Sequence, residues 1–422
     1  MDEKLYRSYI EILKDELKPA MGCTEPIAVA YAGALVRKAL GEIPEKVCLT
    51  VSGNIIKNVK SVIVPHTGGR KGLKTAVAAG ILLGQADREL EVLSGVTEDQ
   101  MDMLDRYLNK VQVEIVQSTA HNPFDIQVQA GDAYVRIIDS HTNVVELRCG
   151  EEWMIRRPYT DEEMACPENR GLLNVRDIVE FAREARLEDV QEVLETQIRL
   201  NTAIAEEGMK NRYGACIGQI LMRSYGNSVQ NRAKAYAAAG SDARMNGCEM
   251  PVVINSGSGN QGLTASVPVI IYANEMGASH EQLLRALLIS NLITIHLKSG
   301  IGTLSAYCGA TSAGAGAGAG INYLYGGDAD SIAHGITNTL AINSGMICDG
   351  AKSSCAAKIA SAVEAGLLGT QMSMHDAQFV DGDGIVVKGV EDTIRVVSEI
   401  ARDGMRETDV EIIRHMIEEG AK

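Results

Sequence analysis

Three long stretches of this chain carry no Asp, Glu, Lys or Arg: residues 250–274, 299–327 and 331–348. Charged residues make up 23% of the whole, so their withdrawal from these runs marks a buried centre. The longest, 299–327, is mostly Gly, Ala, Ser and Thr, too polar to partition into lipid, and no segment of the chain is expected to span a membrane. Residues 313–320 alternate Ala and Gly, which predicts an inner helix or turn packed closely against its neighbours.

Around this centre the periodicity changes twice. Residues 2–18 and 25–40 repeat apolar side chains at helical spacing. From Lys46 strand-like segments take over, at 47–52, 61–64, 111–116, 125–129, 133–138 and 143–148, with helices expected at 74–83 and 98–109. Beyond Pro158 the pattern is helical again, at 175–185, 187–208, 228–239, 280–298, 329–344, 353–368 and 390–401. The expected class is α+β: a mainly helical catalytic domain with an inserted smaller α+β sheet domain. The first comprises 1–45 and 156–422, and the insert comprises 46–155, one sheet with helices on one face.

Charge and cysteine usage narrow the function classes. A net charge of −15 argues against nucleic-acid binding, which needs a basic face. Nine cysteines, an odd number with no CxxC, fit neither a disulfide framework nor a zinc site. With an amphipathic helix at the N-terminus instead of a signal peptide, a reducing cytoplasm is the expected location. Phe and Trp total four, so the cores must be aliphatic.

Cys308, Cys348 and Cys355 lie in or beside the uncharged runs, each flanked by Gly, Ala or Ser. Three thiolates on close-packed backbone can hold an iron–sulfur cluster and leave one iron open as a Lewis acid. Cys355 in the first turn of a helix would meet free amides that favour such an anion. The spacing is no ferredoxin pattern, and a buried cysteine is more often a small hydrophobe. Cys23, in Met21-Gly-Cys-Thr-Glu-Pro-Ile, precedes a helix for which Thr24 is the expected N-cap and Pro26 a first-turn residue. A sulfur there has a lowered pKa and suits a base or nucleophile; a plain capping segment is the alternative. Asn255-Ser-Gly-Ser-Gly-Asn-Gln-Gly262 and Pro65-His-Thr-Gly-Gly-Arg-Lys-Gly72 are glycine-rich loops suited to a carboxylate or phosphate, or else simple turns. His121, His141, His280, His296, His334, His375 and His415 show no ligand spacing and read as structural or surface residues. Cys48, Cys149, Cys166, Cys216 and Cys248 read as inert.

Taken together, Gly22-Cys-Thr-Glu-Pro26, the 255–262 loop, Ser305-Ala-Tyr-Cys-Gly-Ala310 and Met346-Ile-Cys-Asp-Gly-Ala-Lys-Ser-Ser-Cys-Ala356 resemble the L-cysteine desulfidase family, relatives of the iron–sulfur L-serine dehydratase alpha chain. The resemblance covers nearly the whole chain. It implies a [4Fe–4S] cluster held by Cys308, Cys348 and Cys355, no pyridoxal phosphate, and Cys23 as catalytic base. It implies elimination of sulfide from L-cysteine to give pyruvate and ammonia. The expected substrate contacts are His66, Thr67, Ser256, Gly257, Asn260, Gln261 and Lys352, with Lys352 alternatively a surface residue and Glu25 either orienting Cys23 or serving the helix dipole. The expected partner is the small amino acid, with no nucleic acid and no membrane, and a homodimer is admissible. Two departures favour the desulfidase over the serine reading. Pro65-His66-Thr67-Gly68 only partly matches the Ser-Ser-Ser-His-Thr string of the serine dehydratases, and the C-terminal Glu-Glu-Gly-Ala-Lys lacks the terminal cysteine that some of them carry. L-serine dehydration and a non-catalytic iron–sulfur sensor are the competing readings; a sensor would carry a DNA-binding helix or basic face, and neither is visible.

Overall fold

The computed structural model describes residues 1–161, 168–302 and 304–419. Cys166 and the terminal Gly420–Lys422 lie outside the described residues. The elements run α1 (Glu3–Glu16), β1 (Pro19–Met21), α2 (Thr24–Leu40), β2 (Lys46–Val51), α3 (Gly53–Val59), α4 (Gly72–Leu83), α5 (Met101–Lys110), β3 (Gln112–Gln117), β4 (Asp125–Ala130), β5 (Ala133–Ile138), β6 (Val144–Cys149) and β7 (Glu152–Arg156). They continue α6 (Val175–Glu184), α7 (Gln191–Lys210), α8 (Ile217–Tyr225), α9 (Val229–Met245), β8 (Pro251–Val253), α10 (Gly259–Met276), α11 (His280–Ser299), α12 (Gly309–Leu324), α13 (Ala329–Ile342), α14 (Cys355–Met374), α15 (Val390–Glu399) and α16 (Arg406–Glu419). The fold is mainly helical, with a six-stranded mixed sheet confined to residues 46–156, as the sequence led us to expect.

The sheet order is β3-β2-β4-β5-β6-β7, with β2 and β3 parallel and every other pair antiparallel. Val47, Leu49 and Val51 alternate inward on β2 and set its register. α2 packs on β4, β5 and β6, with α4 beside it. The two helices approach so closely that a Cβ on Gly80 would stand 1.9 Å from the Ala30 carbonyl oxygen. α2 therefore serves the sheet, although its residues fall within the stretch assigned by sequence to the helical part.

Local chemistry overturned the sequence reading in one place and added two elements that the sequence had not marked. Residues 61–64 form no strand; only Ile63 bridges to Lys71 across a turn. Gly53–Val59 is a helix because Ser52 caps it, its hydroxyl accepting from Ile55 N–H. β7 adds an exposed edge strand of five residues, Glu152–Arg156, whose three central apolar side chains do not alternate with polar ones.

The uncharged runs form the centre, as expected. α12 lies between α11 and α14, and its Ala–Gly alternation is the reason. Gly314 and Gly318 face α14, where added Cβ atoms would come within 2.3 Å of Ala362 O and 2.6 Å of Gly366 O. Gly316 and Gly320 face α11, with added Cβ atoms 2.2 Å from Thr294 Oγ1 and 2.7 Å from Ala286 O. Two glycine faces, each spaced by four residues, let one helix touch two others at backbone distance.

Candidate active site

Four of these helices begin at one cavity. Cys23 is the N-cap residue of α2, Ser258 of α10, Cys308 of α12 and Ser354 of α14, and Cys23, Ser258, Cys308 and Cys355 all line the space. Four helix N-termini, with Lys57, Arg244, Lys298 and Lys358 in the wall and Glu25 as the single acid there, make the cavity an anion site. Its volume is about 110 Å³.

The three proposed cluster cysteines converge here. An antiparallel bridge between Tyr307 and Ile347 brings their loops together across 39 intervening residues. Cys308 N–H donates to Met346 O at 3.0 Å and Cys348 N–H to Ala306 O at 2.6 Å. Asp349 holds the loop from the other side through Lys352 and Lys358, and Lys358 Nζ also donates to Ile347 O at 2.6 Å. The Cys308 and Cys348 thiols are electrostatically linked, and the interaction sets their acidities apart. It pushes the first up and the second down, and Lys57 and Lys358 favour the Cys348 thiolate. Burial raises Cys355.

This arrangement fits a cluster. All three thiols reach the cavity, and five buried polar atoms in its wall have no protein partner: Asn58 Oδ1, His141 Nε2, Arg244 Nε, Gln261 Oε1 and Tyr307 Oη. So concentrated a set of unpaired groups implies polar occupants. Among the described residues no three His, Cys, Asp or Glu side chains are close enough to share one metal ion. A cluster asks less, because each cysteine binds a different iron.

Cys23 departs from expectation. It, not Thr24, is the N-cap residue, and Pro26 sits in the first turn as foreseen. Burial, and then the charge of Glu25, push the thiol well above its ordinary range, so the helix N-terminus does not produce a resting thiolate. The Sγ donates to Glu25 Oε2 at 3.2 Å. Glu25 also accepts from Thr24 Oγ1 at 3.2 Å and from Asn58 Nδ2 at 3.0 Å. Burial works against its charge, but His141, Cys23 and Arg244 outweigh it and hold the carboxyl below the usual range. His141 is itself kept below the ordinary histidine range by burial and Arg244, so at neutral pH it is uncharged and Cys23 and Arg244 carry the effect.

Ser256, Gly257, Asn260 and Gln261 line the cavity, in the tight turn and first helical turn that the sequence marked. The single Thr24 hydroxyl proton lies between Gly257 O at 3.0 Å and Glu25 Oε2 at 3.2 Å, and ties the turn to α2. At φ +75°, Gly257 lies against His141, where a Cβ would come within 3.0 Å of Cε1. Asn255 is fixed from behind by Asn291, which is hydrogen-bonded to Gln197, all three fully buried. His66, Thr67 and Lys352 do not line the cavity. His66 faces Glu249, Thr67 closes its own turn onto Val64 O, and Lys352 is held by Asp349.

Sequence reasoning missed His141, which reaches the site from the β5–β6 loop, and Arg244, Lys57, Asn58 and Lys358. Only Arg244 left a trace, as a cation in an alanine-rich helix.

The chain matches the family described as serine dehydratase alpha chain over residues 87–414. Similar proteins include UPF0597 protein DSY1109 of Desulfitobacterium hafniense (strain Y51), 52% identical with 98% of this chain and 97% of that one covered. UPF0597 proteins of Lachnoclostridium phytofermentans and Treponema denticola are 47% and 42% identical, covering 98% and 99% of this chain and 100% of each relative. Among the described residues no helix is long and apolar enough to cross a membrane. With this site on this fold, the chain belongs to the UPF0597 family and carries a lyase-like serine dehydratase alpha chain domain, whose family is of the iron–sulfur type.

Proposed function

We propose that the protein is a [4Fe–4S]-dependent carbon–sulfur lyase that converts L-cysteine and water to pyruvate, ammonium and hydrogen sulfide. The observation that carries this reading is the convergence of Cys308, Cys348 and Cys355 with Cys23 and Glu25 on one cavity. The three cysteines would hold the cluster, which when bound supplies a Lewis-acidic iron for the leaving group.

The chain's own residues handle binding and the proton. Ser256, Gly257, Asn260, Gln261 and the α10 N-terminus receive the carboxylate. Cys23 Sγ, protonated at rest, passes its proton to Glu25 Oε2 as it takes the one on Cα. The Cα electron pair forms the Cα=Cβ bond and the Cβ–S bond breaks, with sulfide taking its electrons. The aminoacrylate tautomerises to the imine and water hydrolyses it. L-serine dehydration is the second reading, favoured by the family description; the same proton transfer would then expel hydroxide.

Protein purified without oxygen should contain close to four irons and four sulfides per chain and release pyruvate and sulfide from L-cysteine faster than pyruvate from L-serine. Cys308→Ala, Cys348→Ala and Cys355→Ala should each lose the cluster. A full cluster in any two of these variants would overturn the ligand assignment, and full activity without iron would overturn the reading as a whole.

A further inference from the structure

Arg244 occupies the last turn of α9, is 3% exposed, and lines the cavity. A guanidinium buried this deeply is ordinarily paired with a carboxylate. Here Nη1 donates to Asn260 Oδ1 at 3.2 Å and lies 4.0 Å from Met245 Sδ, Nε meets no acceptor, and no ion pair is formed among the described residues. Its position is built. A Cβ on Gly259 would stand 2.3 Å from Nε and 2.8 Å from Cζ, so only glycine lets the guanidinium lie against the first turn of α10. The fork therefore lies beside a helix N-terminus whose first amides have no intrahelical partner. Lys57 and Lys358, by contrast, already have Asp409 and Asp349.

We propose that Arg244, with Asn260 and the α10 N-terminus, is the subsite that recognises the α-carboxylate of the substrate, and that it restricts the enzyme to small amino acids with a free carboxylate. A planar fork and a helix N-terminus are the two protein elements that best match a carboxylate. An amide or a peptide-bonded residue, which lacks the free α-carboxylate, offers this fork no anion. The proposal rests on the amino-acid lyase reading, and it goes further by naming the substrate group that is read and the residue that reads it.

The test uses the cluster-loaded protein with L-alanine, which has the carboxylate and no leaving group, and L-alaninamide, which lacks the carboxylate. L-alanine should raise the melting temperature of the wild type, and L-alaninamide should not. Arg244→Gln should abolish the L-alanine shift and raise the KM for L-cysteine roughly a hundredfold, the scale for a lost buried charge-assisted contact. Arg244→Lys should recover part of both. If Arg244→Gln does not fold, Asn260→Asp, which sets a carboxylate against the fork, should raise KM in the same way. An L-alanine shift that survives Arg244→Gln, or a variant that loses kcat with KM unchanged, overturns the subsite. If the wild type binds L-alanine through Arg244 yet releases pyruvate from neither L-cysteine nor L-serine, the subsite stands and the lyase reading falls.

Discussion

Asp242 on α9 should make the protein less stable as pH rises, and Asp242→Asn should remove that dependence. Its Oδ2 accepts from Ile217 N–H at 2.6 Å, at the start of α8, while Oδ1 is buried without a partner. Burial pushes the carboxyl up to about 6 from an ordinary 3.8, against the pull of nearby backbone amides, that of Ile217 first. The folded state thus holds the proton more tightly than the unfolded one. Below about pH 4 both are protonated and the native advantage is complete. Between about 4 and 6 the unfolded chain ionises first, and above 6 the native carboxylate is charged and poorly solvated. Two units correspond to about 3 kcal/mol lost across that window. The Asn side chain keeps an acceptor for Ile217 and carries no charge, but its Nδ2 takes the unpartnered position at a cost of about 1 kcal/mol. The variant should therefore gain about 2 kcal/mol at pH 7.5, roughly 2 °C in melting temperature for a chain of this size. Wild type and variant should be melted side by side from pH 5 to 8, since other groups shift both curves alike. A difference that stays constant over that range would refute the reasoning.

Two further substitutions probe the site and its support. Cys23→Ser should keep the iron and lower Cα deuterium exchange in L-cysteine by about a hundredfold; exchange at the wild-type rate would show that Cys23 is not the base, and a fall in iron that it is a ligand. Gly314→Ala puts a methyl 2.3 Å from Ala362 O and should cost about 3 kcal/mol by forcing α12 from α14. Iron content should fall with the melting temperature, because Cys308 and Cys355 begin those two helices; an unchanged melt would count against the packing argument.

Much of this architecture was legible because it is written in local periodicity. The uncharged runs became the central helices, and the strand series became one sheet within residues 46–156. What failed or went unmarked included short elements fixed by single contacts and the helices α8, α10 and α16. Ser52 capping α3 outweighed any pattern in seven residues, and the apolar 61–64 segment was bent into a turn by the bonds closing at Val64 and Arg70. The helix at 259–276 begins inside the glycine-rich loop, and the sequence marked only the loop. Its apolar residues are buried on all sides, so no amphipathic face announced it.

The candidate site divides along the same line. Residues adjacent in sequence to a turn or cap, such as Cys23, Ser256 and Gln261, reach the cavity as their motifs suggested. His141 and Arg244 reach it only because distant elements cross there, and the one trace in the sequence is the cation that Arg244 sets in an alanine-rich helix. Yet Arg244 bears on the chemistry in a way that the motifs do not show. A cysteine at a helix N-terminus is expected to be acidic, but burial and Glu25 make Cys23 a poor acid. The compensation lies in Glu25, an acid that stays ionised in a buried site because Cys23, Asn58 and Arg244 all favour its charge. A resting thiolate would place a second negative charge beside that carboxylate. A protonated thiol beside an ionised carboxylate avoids this, and in the proposed mechanism it is a group that accepts a proton only as it gives one up.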